Sequence, residues 1–396
     1  MTASIEALTD DPHPFLADLR RTGPAGWVES LGGWMVVSHE AATAVMRDAD
    51  TFTVDDPRFT TSRVVGESML STDGADHARH RQPFLAPFTP RASRAYFAGF
   101  IEAEAKRLVT SIAPHGEAEL RTAVAAPLAT ACMQLALGLR DIPVVEMLNW
   151  YGDIVQAVAD ITAGLPLPEY GRNAYSALSG AIRTAVGSSG GPDTFLGAIA
   201  SAAGALSTPE MLSNAAVLLF GGIETTEGMI ANLFFHLLGN GAALATVRAD
   251  PKLLDAAIEE SLRLEPAAAV VDRYATRDVA IGEAQIRRGD LVVVSLAGAN
   301  RDPAVFPDPD VFELHRPNAR RQLAFAQGPH VCIGLHLARL EARSAASEVL
   351  SLPELELDGS GSVAPVGLVF RKAPTVWARW TPSQHPLSPT DGRIAR

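Results

Sequence analysis

The sequence predicts a mainly α protein with a small β-rich region. Three observations carry this reading. Apolar residues recur at helical spacing through most of the 396 residues. One such run, Pro209 to Leu238, would span roughly 45 Å, the width of a whole domain. Strand signals, by contrast, are few and short.

The elements can be justified in order. Helical patterns cover His39 to Arg47, Arg94 to Ile112, Ala123 to Leu139, Leu253 to Leu264 and Leu335 to Leu350. In the long helix Thr208 reads as the N-cap, Pro209 as the first helical residue and Gly239 as the C-terminal cap. Strands read at Trp34 to Val37, after a Gly-Gly turn, at Leu291 to Ser295 (LVVVS) and at Thr375 to Trp380. Gly187 to Pro192 and Asp358 to Ser362 are Gly/Ser-rich loops, too short for convincing linkers. Pro382 to Arg396 is polar and Pro-rich and is expected to fray.

Bulk properties exclude several functions. A net charge of -12 disfavours a nucleic-acid partner, which needs a basic face. No apolar run reaches the roughly 18 residues of a membrane helix. Met1 to Arg21 is broken by Glu6, Asp10, Asp11, Asp18 and Arg20, so it reads neither as a signal peptide nor as an anchor. With two cysteines, Cys132 and Cys332, no disulfide framework is expected, and the compartment reads as cytoplasmic.

Cys332 lies in the segment F-A-Q-G-P-H-V-C-I-G, Phe325 to Gly334, just before a helical pattern. A helix N-terminus favours negative charge and lowers a thiol pKa. Gly328 and Gly334 would let the backbone approach a flat, bulky group. The loop therefore suits a thiolate beneath a planar metal macrocycle, although a lone cysteine is more often a buried structural residue. Zinc is disfavoured, because the second cysteine is distant.

The long helix contains Gly221-Gly222-Ile223-Glu224-Thr225-Thr226. Two glycines inside a helix cost roughly 1 kcal/mol each, so something must compensate. A close ligand, a local opening of the helix or a notch for a crossing helix would each do so. Elsewhere, Glu260 and Arg263 stand at an i,i+3 spacing. His77 and Arg81 stand four apart, on one helical face.

Together these segments resemble the cytochrome P-450 family, in its soluble bacterial class. Phe325, Gly328, His330, Cys332 and Gly334 match the family's F-G-x-G-x-H-x-C-x-G, with Ala326 where a glycine is usual. Gly221, Gly222, Glu224 and Thr225 match A/G-G-x-D/E-T. Further matches, including Asn300 to Pro303 and Leu337 to Glu341, run in the family's order from Asp11 through Trp380.

The resemblance implies a cytochrome P-450 fold in a single domain, residues 1–381, with a flexible tail at 382–396. It implies haem b, with Cys332 as the axial ligand, a thiolate that favours O–O cleavage. His77, Arg81, Arg273 and His330 would meet the haem propionates. Gly222, Phe325, Gly328 and Gly334 would also lie against the cofactor. Thr225 would hydrogen-bond bound dioxygen, and Glu224 would relay protons. Glu260, Arg263 and a third member, Arg316, would form a buried structural cluster.

Position by position, the resemblance also places a substrate pocket. Val64, Val65 and Met69 would come from the loop Arg58 to Leu70, where Arg58 and Arg63 could meet an acidic group. Val217, Phe220 and Gly221 would come from the long helix, Ala269, Val270 and Val271 from a third wall, and Leu368 and Val369 from a fourth. Leu148 to Tyr175 would form a lid.

The chain has no G-x-G-x-x-G, so electrons would come from a separate ferredoxin or flavodoxin and its reductase. These donors would dock near Arg320, Arg321, Arg339 and Arg343. Scarce lysine and abundant alanine point to a GC-rich bacterial genome, where the family tailors secondary metabolites. The activity expected is oxidation of a small, largely apolar molecule by O2. Ring closure, coupling or desaturation without oxygen insertion is an alternative outcome. A non-catalytic haem-thiolate sensor or substrate-presenting protein is an alternative of another class, disfavoured by Glu224 and Thr225.

Overall fold

The computed structural model describes residues 2–162, 165–188 and 206–382. The predicted tail and most of the loop at 187–192 lie outside these residues. The first helices are α1 Ile5–Asp10, α2 His13–Thr22, α3 His39–Arg47, α4 Thr60–Val65, α5 Gly74–Leu85, α6 Pro90–Ile112 and α7 Ala126–Ala136. They are followed by α8 Val144–Thr162, α9 Glu169–Ser188, α10 Thr208–Gly239, α11 Gly241–Ala249, α12 Leu254–Leu264, α13 Leu296–Ala299 and α14 Leu335–Val349. The strands are β1 Ala25–Val28, β2 Gly33–Val36, β3 Phe52–Thr53, β4 Glu117–Glu119, β5 Val270–Ala275, β6 Val279–Ile281, β7 Ala284–Ile286, β8 Leu291–Ser295, β9 Glu356–Leu357 and β10 Trp377–Arg379.

Helix α10 is the axis of the molecule. It is buried along most of its length and packs against α7, α12 and α14. Its start lies one residue earlier than the sequence suggests. Ser207 is the N-cap, and its side chain and that of Glu210 cap each other's backbone amides. This S-x-x-E capping box satisfies two orphan donors at once, which a Thr208 cap would not. At the other end Gly239 stays helical and Asn240 is the cap. The pattern at Ala123 to Leu139 resolves into a π-turn, Arg121–Ala125, followed by α7.

A five-stranded sheet of order β1-β2-β8-β5-β3 flanks the helices. Only β2 and β8 pair in parallel, with Trp34 opposite Val292. The β8 run is apolar on both faces because each face is covered. Val292 and Val294 pack with Val45, Met46 and Phe52 on one side. Val293 packs with Leu8, Leu16 and Met35 beneath α1 and α2 on the other. The predicted strand at Thr375 to Trp380 shortens to β10, which joins a small sheet of order β4-β10-β9. No single helix among the described residues is long and apolar enough to cross a membrane.

Two ionic clusters hold the sheet and loops to the helical body. Glu260 and Arg263 are fully buried, and Arg316 completes the group. Arg263 Nη2 and Arg316 Nε donate to Glu260 Oε1 at 2.8 and 2.9 Å. The second cluster centres on Glu265, which is 5% exposed. It accepts from Arg371 at 2.6 Å and Arg301 at 3.2 Å, and His13 lies at 3.0 Å. This ties α2 and the 371 region to the end of α12.

Burial alone would raise the Glu265 pKa, but His13, Arg301 and Arg371 hold it down to about 2. A depressed carboxyl stabilises the fold above its unfolded pKa and loses that contribution as pH falls towards 2. In that window the unfolded chain binds a proton that the folded chain refuses. Urea titrations at pH 7, 4 and 3 should therefore show wild type losing stability more steeply than Glu265→Gln, by on the order of 3 kcal/mol over the full window. Parallel losses in the two proteins would refute this.

Candidate active site

Cys332 sits in the turn that leads into α14, with Gly334 as the helix N-cap. Its backbone amide donates to Phe325 O at 2.8 Å, closing the loop on itself. Burial of the thiol pushes its pKa up. The Gly334 and Leu335 amides, with Arg81 and Arg339 nearby, pull it back only in part. This corrects the expectation of a lowered thiol pKa. The helix N-terminus acts as predicted, but desolvation outweighs it.

The glycines of this loop have separate reasons. Gly328 has φ +73°, and a Cβ there would lie 2.3 Å from Met46 O of α3. Its smallness thus serves the close contact with α3. At Gly334 the nearest atom to such a Cβ is Cys332 Sγ, at 4.0 Å, so that side is open. Ala326 adopts φ +57°, the left-handed conformation that explains why a glycine is usual there. Phe325 lies under the Arg339 guanidinium, 4.5 Å from its ring centre.

The four expected propionate donors are arranged unequally. Arg273 is 4% exposed, and its only hydrogen bond is to the Asp272 carbonyl at 2.7 Å. Among the described residues no carboxylate pairs with it. His330 stacks on His77, ring centres 4.1 Å apart, and its Nε2 lies 2.7 Å from Asp73 Oδ1. His77 Nδ1 is 2.9 Å from Met69 O, and its Nε2 is 3.2 Å from Pro329 O. Arg81 Nη2 donates to Val331 O at 2.5 Å. Burial lowers the pKa of both histidines, with mutual repulsion and Arg81 adding to the effect at His77 and Asp73 opposing it at His330.

On α10, Thr225 Oγ1 donates to Gly221 O at 2.6 Å, one turn back. A Cβ on Gly222 would lie 2.2 Å from Met133 Sδ of α7, so the missing side chain makes a notch for α7. Gly221 meets nothing within 4 Å and faces open space. Glu224 is 7% exposed and pairs with Lys372 Nζ at 3.0 Å. Lys372 also reaches Glu227 at 3.5 Å, which Arg121 holds at 2.6 Å. Burial raises the Glu224 pKa, and Lys372 opposes the rise. No sequence signal marked Lys372, which is distant along the chain.

Comparison with known proteins settles the family. A family model described as cytochrome P-450 matches residues 191–366. The curated cytochrome P-450 monooxygenase PikC of Streptomyces venezuelae is 33% identical over 92% of this chain and 89% of its own length. The chain belongs to the cytochrome P-450 family. The 20-oxo-5-O-mycaminosyltylactone 23-monooxygenase of Streptomyces fradiae is 33% identical over 87% of this chain and 83% of its own. The crystal structure of P-450BioI with an acyl carrier protein ligated to hexadec-9Z-enoic acid superposes with a TM-score of 0.85. It covers 95% of this chain and 99% of that one, at 26% identity.

The family's cofactor is haem b, and the described residues fit it. Arg273 is a buried cation with unspent donors and, among the described residues, no carboxylate within ion-pair distance, which suits a carboxylate-bearing cofactor. Cys332 supplies a soft donor beside two backbone amides, and the open sides of Gly334 and Gly221 leave room for a macrocycle.

The expected pocket residues do not all converge. Val64, Val65, Met69, Val217 and Phe220 share the main helical core. Ala269, Val270 and Leu368 instead pack beneath α1 and α2 with Leu8 and Leu16. Val271 points to the other face of its strand and joins the cluster under α3. Alternation along β5 separates these neighbours, which a sequence window treats as one wall. Val369 is exposed. Arg58 is held by Asp56 at 2.8 Å and lies 4.4 Å over the Tyr274 ring, so it is committed elsewhere; Arg63 is exposed.

The strain at Ala326 is removable. A left-handed alanine costs about 1–2 kcal/mol, of which glycine's larger unfolded-state entropy takes back part. Ala326→Gly should raise stability by roughly 0.5–1 kcal/mol, read by calorimetry as a rise of about 1–2 °C. An unchanged or lower midpoint would contradict the strain.

Proposed function

We propose that this chain is a haem-thiolate monooxygenase that uses O2 to oxidise a small, largely apolar organic substrate in bacterial secondary metabolism. The observation that carries this reading is the pair on α10. Thr225 presents a hydroxyl beside the open side of Gly221, and the next residue back is a buried carboxyl with a solvent-reaching partner. A protein that merely carried haem would have no use for a proton store at that place.

Haem held by Cys332 would supply O2 activation. The chain's own residues do the rest. Arg273 and Arg81 would supply positive charge to the propionates, and His330 and His77 would help to orient them. Glu224, whose raised pKa favours holding a proton, takes it from the Lys372 side and passes it towards Thr225. Val217 and Phe220 keep that side of the pocket apolar.

Electrons come from a separate ferredoxin or flavodoxin served by a reductase, in the cytoplasm. The docking cations expected from the sequence are not equivalent. Arg339 is committed to Glu259 at 2.6 Å and Arg343 to Asp255. Arg320 and Arg321 stay exposed on the turn Ala319–Arg321. They form the basic face that an acidic donor would meet.

Two experiments test the proposal. Thr225→Ala should keep haem and substrate binding but lose product on the order of 10-fold or more, with hydrogen peroxide replacing it; full coupling would overturn the role of Thr225. Reversing Arg320 and Arg321 to Glu should slow reduction by an acidic ferredoxin about 10-fold at low salt, an effect that fades as salt rises. Salt-independent, unchanged rates would remove the docking face.

A further inference from the structure

Among the described residues, four buried side-chain atoms have no hydrogen-bond partner: His13 Nδ1, Tyr151 Oη, Ser179 Oγ and Glu341 Oε2. Three of them have no route to the reacting centre in the contacts described. His13 belongs to the Glu265 cluster. Glu341 is enclosed beside Cys132, where burial raises its pKa. Ser179 lies on α9. Tyr151 differs, because its ring touches the wall of the proposed pocket.

Tyr151 lies on α8 and is 8% exposed. Its ring is 6.4 Å from that of Phe220, at 44°. Phe220 in turn meets Phe370 edge-on, at 5.3 Å and 75°. Phe220 immediately precedes Gly221, whose missing Cβ leaves open space, and Phe370 follows the exposed Val369. Three rings from α8, α10 and the 366–372 turn therefore meet beside the Gly221–Thr225 turn. Two of them are purely apolar. The third buries a hydroxyl that no described residue satisfies. A phenylalanine would fill the same space without that penalty.

We propose that the Tyr151 hydroxyl is a specificity-determining donor for an oxygen acceptor on the substrate. The substrate class is then a molecule with a ring system that packs against Phe220 and Phe370 and carries a carbonyl or hydroxyl oxygen within reach of α8. Apolar contact supplies most of the binding, and the single buried donor rejects analogues that lack the oxygen, because they leave it unpaired. This rests on the haem-thiolate reading of the site, since it takes the Gly221–Thr225 turn as the reacting side.

The test uses haem-loaded wild type and Tyr151→Phe. Each is titrated with phenylalkyl imidazoles of graded tether length and with their para-acetyl counterparts, following the Soret shift. For at least one tether length the acetyl compound should bind wild type about 5-fold more tightly than the variant, the ratio expected for one buried hydrogen bond. The unsubstituted compounds should bind both proteins alike, and the variant should melt no earlier than wild type. Equal affinities for every pair at every length would overturn the proposal, as would a lower melting point for Tyr151→Phe, which would reveal a structural bond. If wild type shows no Soret shift with any imidazole, the haem-thiolate reading itself fails, a result distinct from shifts that merely do not discriminate.

Discussion

The fold depends on one buried carboxylate with two guanidinium partners. Glu260 accepts from Arg263 and Arg316 and also from the Glu313 amide at 2.9 Å. The group carries one more positive than negative charge, so it must find further acceptors. Carbonyls of the loop supply them. Arg263 donates to Asn300, Pro309 and Val311, and Arg316 to Pro307, Asp308 and Val311. The irregular stretch before the cysteine loop is thus pinned to α12 by side chains, in place of a ladder of its own. Removing one partner of such a group typically costs 3–5 kcal/mol, because the remaining charges stay buried.

The same helix sets the cysteine loop through the residue before Glu260. Glu259 accepts from Gln322 at 3.1 Å and from Arg339 at 2.6 Å, and Arg339 covers the Phe325 ring. Asn300 adds a bond from Leu323 N at 2.6 Å. Both ends of the segment carrying Cys332 are therefore tied to α12. This matters for a thiol whose pKa burial raises. The loop holds the sulfur in place, as a metal ligand would require.

What the sequence revealed depended on how local each signal was. The long helix, the cysteine loop and the spacing of Glu260 and Arg263 were legible because their residues are neighbours along the chain. The lid helices α8 and α9 had only a broad expectation behind them, and the third-wall residues were misplaced. Ala269 and Val270 are apolar whichever side of the sheet they face, and only the pairing with β8 shows that they lie beneath α1 and α2. The glycines carry a related ambiguity. A glycine records that something is close but not what: a Cβ would meet Met133 at Gly222 and the Met46 carbonyl at Gly328.

Lys372 shows the limit most clearly, and what lies beyond it. It is one of three lysines in the chain, and nothing nearby in sequence marks it. Its neighbour Arg371 belongs to the structural cluster on Glu265, and that bond fixes the backbone from which Lys372 reaches back to Glu224. One side chain therefore anchors the turn while the next sets the charge beside the acid of α10. Phe370, one residue earlier, closes the aromatic wall against Phe220. Three consecutive residues thus join the Glu265 cluster, the carboxyl of Glu224 and the aromatic contact with Phe220. A change in how Glu265 holds the turn would be felt at all three places.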